Sequence, residues 1–62
     1  MKIGDNVSTE FGEGVILSKE ENTVRFLVKI NKPHRLSEFL YKIQKECGGL
    51  YFFKNELTVL KE

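Results

Sequence analysis

Residues 23–30 read TVRFLVKI. Val24, Phe26, Val28 and Ile30 alternate with Thr23, Arg25, Leu27 and Lys29, the period of two that a strand with one buried face imposes. A slip of one residue would carry Arg25 and Lys29 into the core, where unpaired charges are costly. The stretch therefore predicts a long strand with Val24, Phe26, Val28 and Ile30 inward. Leu27 is the apolar exception on the outward face and needs cover.

Upstream of this strand, Lys19 to Asn22 are polar and form a hairpin loop. Residues 15–18, VILS, are its partner strand. Residues 10–14, EFGEG, place two glycines around Glu13 after Phe11, which predicts a bend or bulge with Phe11 tucked into the core. Gly4-Asp5 is turn chemistry, and a short strand follows from about Asn6 to Thr9.

Downstream, residues 31–35, NKPHR, read as a break, because Pro33 cannot donate to a ladder. Leu36, Phe39, Leu40, Ile43 and Cys47 then recur at i, i+3, i+4, i+7 and i+11, one face of a helix. Ser37 supplies the N-cap, and Gly48-Gly49 supplies a residue free to end the helix in the left-handed conformation. The helix is expected near 37–47, with its apolar stripe buried. Residues 50–53, LYFF, are a strand with large side chains on both faces. Asn55-Glu56 turns the chain, as one 3₁₀ turn, into a last short strand, LTVL.

The whole chain is 62 residues, enough for one domain and too few for a Rossmann unit or a barrel enzyme. At about 0.05–0.15 kcal/mol per residue, stability should be on the order of 3–9 kcal/mol. Apolar residues at 40% and charged residues at 31% exclude disorder from charge excess. A net charge of +1 gives no global field toward nucleic acid or membrane. One cysteine cannot make an internal disulfide and suits a reducing compartment. With no long apolar run, the expectation is a soluble cytoplasmic protein without a membrane partner.

Five short antiparallel strands in this span predict a mainly β fold that closes into a small barrel. The segments IGDNV, STEFGEGVI and TVRFLV, with the closing YFFKNELTVL, resemble the Tudor/SH3-like barrels. Among these, the C-terminal Tudor-like domain of bacterial DNA-repair helicases and the RNA-polymerase-interacting domain of CarD-type regulators are similar. The resemblance covers 3–30 well and 50–60 in part. It departs over 31–49, where those families have a short connection. It implies a five-stranded antiparallel SH3-like barrel, here with one inserted helix at about 37–47 between the third and fourth strands, and a partner such as RNA polymerase.

Few residues suggest chemistry. The FGEG segment lacks the Lys-Ser/Thr and the following helix that a phosphate loop needs. His34 and Cys47 are one ligand of each kind, short of the three or four zinc requires. No third residue is on hand to orient a Cys–His pair. Cys47 is expected to be a small buried hydrophobe. No catalysis, metal, cofactor or small-molecule substrate is expected.

The basic segment is the strongest candidate site. Lys29, Lys32, His34, Arg35, Lys42 and Lys45 cluster, with Glu38 and Glu46 the only acids in or beside them. Asp5, Glu10, Glu13, Glu20 and Glu21 lie in the first third. The functional reading is a patch for phosphates or an acidic protein surface; the plain alternative is a solvated helix face. Tyr51 and Phe53, or Leu50 and Phe52, must face away from the core. They are expected under the helix stripe, the alternative being an aromatic cage or stacking platform. The leading functional reading is a small non-enzymatic module that docks onto a larger protein through a strand edge. The second is a nucleic-acid-binding domain using 29–45. A third, an accessory protein of a phage or mobile element, rests on small size alone.

Overall fold

The structure is a computed structural model that describes residues 1–22 and 24–60. Five antiparallel strands and one helix follow in the order β1 (Asn6–Thr9), β2 (Gly12–Lys19), β3 (Arg25–Pro33), α1 (Glu38–Cys47), β4 (Leu50–Phe53) and β5 (Thr58–Val59). A 3₁₀ turn, Lys54–Glu56, joins β4 to β5. The strands make one sheet in the order β4-β3-β2-β1-β5. It curls into a half-barrel whose two edges are β4 and β5.

The inward face holds the core: Val7, Ile16, Phe26, Val28, Ile30, Leu50, Phe52 and Leu57. Phe26, Val28 and Ile30 point inward as their alternation requires, while Lys29 is exposed. Phe11 packs against the core with its ring centroid 6.0 Å from that of Phe52. Thr9 is the one buried polar residue among those described. Its hydroxyl donates to the Gly12 carbonyl at 2.8 Å and accepts from the Phe11 N–H at 3.0 Å, so the β1–β2 turn buries no unsatisfied group there.

Val24 departs from the expected inward set; it is 66% exposed and precedes the strand. The hairpin closes one residue later. Glu20 N–H donates to the Arg25 carbonyl at 3.0 Å, and the Arg25 guanidinium spans both Glu20 carboxylate oxygens at 2.9 and 3.0 Å. The ladder therefore ends at Lys19 opposite Phe26, and Val24 falls in the turn. Thr23, expected on the outward face of the same strand, lies outside the described residues.

The break expected at 31–35 begins later, because β3 runs on to Pro33 opposite Gly12. Two features permit this. A proline with its fixed φ fits the end of a strand, where few ladder bonds are required. On the facing strand, a Cβ at Gly12 would overlap the Lys32 carbonyl oxygen, and one at Gly14 would overlap that of Lys29. The two glycines let the strands approach, and the register shifts between Glu13 and Gly14. The bend or bulge read in EFGEG is thus an irregularity of the β2–β3 ladder, in which the extra residue, Asn31, lies on β3 opposite the two glycines' strand. A second shift, between Ile16 and Ser18, leaves Leu17 as an extra residue on β2.

The helix ends where its sequence says. Ser37 Oγ accepts from the Leu40 N–H at 3.2 Å, and Gly48 adopts φ 81° with its N–H on the Gln44 carbonyl. Leu36, Leu40 and Ile43 pack against the core. Phe39 does not: it is 68% exposed. At about 100° per residue, Phe39 lies to one side of the line through Leu36, Leu40 and Ile43, and the opening of the half-barrel admits only that line. Cys47, the last helical residue, is also exposed rather than buried, because the stripe runs past the rim of the core.

Candidate functional site

The helix stripe faces inward, so it does not cover the outward face of the sheet. Tyr51 and Phe53 stay about half exposed, opposite Leu27 and Arg25 respectively. The Arg25 guanidinium stacks over the Tyr51 ring, 4.9 Å from its centroid. That stacking occupies one face of the tyrosine and argues against an empty aromatic cage. Leu27 is half-buried, and its Cδ1 lies beside the Gly49 backbone.

What fixes α1 against the sheet is a polar contact. Strand β4 accompanies β3 only from Arg25 to Val28. Two residues on, the backbone of Ile30 has no strand beside it on that side. Gln44 fills the place: its Oε1 accepts from the Ile30 N–H at 2.8 Å, and its Nε2 donates to the Ile30 carbonyl at 3.2 Å. The side-chain amide reproduces both bonds of a missing ladder rung. It anchors the helix at the sheet edge, with the apolar stripe turned in and the Tyr41–Lys45 flank turned out.

Between that flank and the outward face of β2 and β3 lies a groove of about 720 Å³. Leu17, Lys29, Tyr41, Lys42, Gln44 and Lys45 line it, with Gly48 at one end. Leu17 comes from the bulge in β2 and Lys29 from the outward positions of β3. Lys42 and Lys45 come from the exposed surface of α1. None of the three lysines makes an ion pair among the described residues.

The basic segment is therefore divided. Lys29, Lys42 and Lys45 meet at the groove. Lys32, His34 and Arg35 do not reach it. Lys32 sits opposite Glu13, and the N–H groups of His34 and Arg35 donate to the Phe11 carbonyl at 3.0 and 3.4 Å. All three are exposed beside the β1–β2 turn. Sequence reasoning missed Leu17, Tyr41 and Gln44. The i, i+4 pair Tyr41 and Lys45 was a signal for a second helix face. Nothing local announces that Leu17 would be opposite it.

A second hollow, of about 670 Å³, is lined by Met1, Val24, Phe53, Lys54, Asn55 and Leu57. Among the described residues Lys54 is the one charged side chain that lines it. Among the described residues no three His, Cys, Asp or Glu side chains gather as a metal site would require. No helix among them is long and apolar enough to cross a membrane. Compared with known proteins, the chain matches no family model, no curated protein and no solved structure.

Proposed function

We propose that the domain is a non-enzymatic binding module that docks onto a larger protein through the outward face of its sheet. One observation carries this reading. Leu17, Leu27, Tyr51 and Phe53 lie on that face, Tyr41 of α1 lines the groove with Leu17, and four of these five are 39–49% exposed. Small monomers rarely leave such a set uncovered, and aromatic side chains in it are what protein interfaces favour. Docking by the face replaces docking by the strand edge. Phe53 N–H donates to Glu56 Oε1 at 2.8 Å, which blocks part of the β4 edge against an incoming strand.

The strand order and the likeness of IGDNV, STEFGEGVI and TVRFLV to Tudor/SH3-like domains support transcription or DNA-repair machinery, RNA polymerase included, as the partner class. Nucleic acid is the competing reading, and the lysines beside Tyr41 are what favour it.

The test is a photoactivatable phenylalanine analogue placed at position 51 and irradiated in cell extract. The expected result is a covalent adduct with a discrete protein, lost when Phe53→Ser is added. Adducts with nucleic acid alone, with a second copy of the chain, or with nothing would refute the reading.

A further inference from the structure

The groove says more about the partner than the apolar face does. We propose that it seats an acidic segment of the partner protein, with carboxylates on Lys29, Lys42 and Lys45 and one apolar side chain between Leu17 and Tyr41. This rests on the reading of the domain as a protein-docking module.

The first argument is charge. Three lysines, from β3 and α1, line one groove, and none has an ion-pair partner among the described residues. A complementary surface must bring negative charge. The second is the mixture. Leu17 and Tyr41 are exposed within the same lining, so an occupant of charge alone would leave them wet. A segment with acids flanking an apolar residue satisfies both. The groove's volume, about 720 Å³, lies in the range of clefts that enclose a few side chains.

The same facts weigh against nucleic acid. Three lysines could neutralise about three phosphates, which gives a salt slope of only about −2 on a single strand. That is far short of the contacts that hold such ligands. Lysine is also a point charge, without the forked geometry by which arginine grips phosphate. Neither Arg25 nor Arg35 lines the groove. Among the described residues, Tyr41 supplies the one aromatic ring available there for stacking.

The experiment is a titration of the ¹⁵N-labelled domain followed by amide shifts. Three probes are used: the end-capped peptide Glu-Asp-Leu-Asp-Glu, its counterpart with lysine at every acidic position, and an oligothymidine of similar length. The acidic peptide is expected to move the amides of Leu17, Lys29, Tyr41, Gln44 and Lys45, and the lysine peptide to move none. Lys42→Glu with Lys45→Glu should weaken the acidic peptide by about tenfold or more, equivalent to about 1.4 kcal/mol or more. If that variant loses its dispersed spectrum, Lys42→Ser with Lys45→Ser takes its place. Two outcomes overturn the proposal: oligothymidine moving the same amides at lower concentration, or the acidic peptide leaving them unmoved at millimolar concentration. A protein adduct from position 51 together with unmoved groove amides would sink this proposal and leave the docking reading standing. No protein adduct would sink the docking reading itself, and this proposal with it.

Discussion

Gln44→Ala removes the amide that stands in for a strand beside Ile30. The wild-type side chain makes two bonds, at 2.8 and 3.2 Å, to the backbone of a residue only 3% exposed. At roughly 0.5–1.5 kcal/mol for each net hydrogen bond, the loss is about 1–3 kcal/mol. Alanine is the better helix former by a few tenths of a kcal/mol, so propensity pulls the other way and cannot produce the loss. Against a total on the order of 3–9 kcal/mol, the change is large. Urea unfolding followed by circular dichroism reads it. With a slope of about 1 kcal/mol per molar for so small a chain, the midpoint should fall by about 1–3 M. Phe39→Ala is the control on the same helix. Its ring is 68% exposed, so its stability should stay within about 0.5 kcal/mol of wild type. If Gln44→Ala unfolds at the wild-type midpoint, water replaces the amide without cost and α1 is held by its apolar stripe alone. If Phe39→Ala shifts the midpoint more than Gln44→Ala, the account of the helix is wrong.

Ile16 is 1% exposed, and Ile16→Ala should cost about 2–5 kcal/mol, enough to collapse the dispersion of the proton spectrum at room temperature. A dispersed wild-type-like spectrum would count against the assigned core. Gly14→Ala forces a methyl onto the Lys29 carbonyl oxygen and the Val28 side chain, so the melting temperature should drop, by an overpacking cost of about 1–3 kcal/mol. An unchanged melt would mean that β2 and β3 are not so close at the bulge. Cys47 is exposed at the end of α1 and should react with a thiol reagent in the native protein as fully as in denaturant; protection without denaturant would put it back under the stripe.

Much of this fold is local, and the local part was legible. The alternation of Phe26, Val28 and Ile30 fixes which face of β3 is buried. The Ser37 cap and the left-handed Gly48 bound the helix within a residue, since each acts on its own neighbours. What the sequence could not show is which apolar residues would find room. Val24 keeps the strand's period yet falls in the turn, because the Glu20–Arg25 pair closes the hairpin first. Phe39 keeps the helix's period yet faces water, because the half-barrel opening is narrower than the apolar stripe. The groove is harder still. Leu17, Lys29 and Tyr41 come from three elements, and their meeting depends on a bulge in β2 and on an amide bonded 14 positions away in sequence. The grouping of six basic residues by nearness in sequence placed Lys32, His34 and Arg35 with a groove they do not line.

The pairing of β1 with β5 constrains when the sheet can be finished. Val7 lies opposite Val59 and Ser8 opposite Thr58, two rungs joining segments about fifty residues apart. Every other strand pairing joins neighbours in the chain or spans only the helix. A ribosome making this protein can therefore release a β1–β2–β3 meander early, as a local structure with short loops to close. The edge of β1 away from β2 stays without its neighbour until Thr58 and Val59 are made. During that interval Val7, which ends with no exposed surface, is open to whatever else the cell offers it.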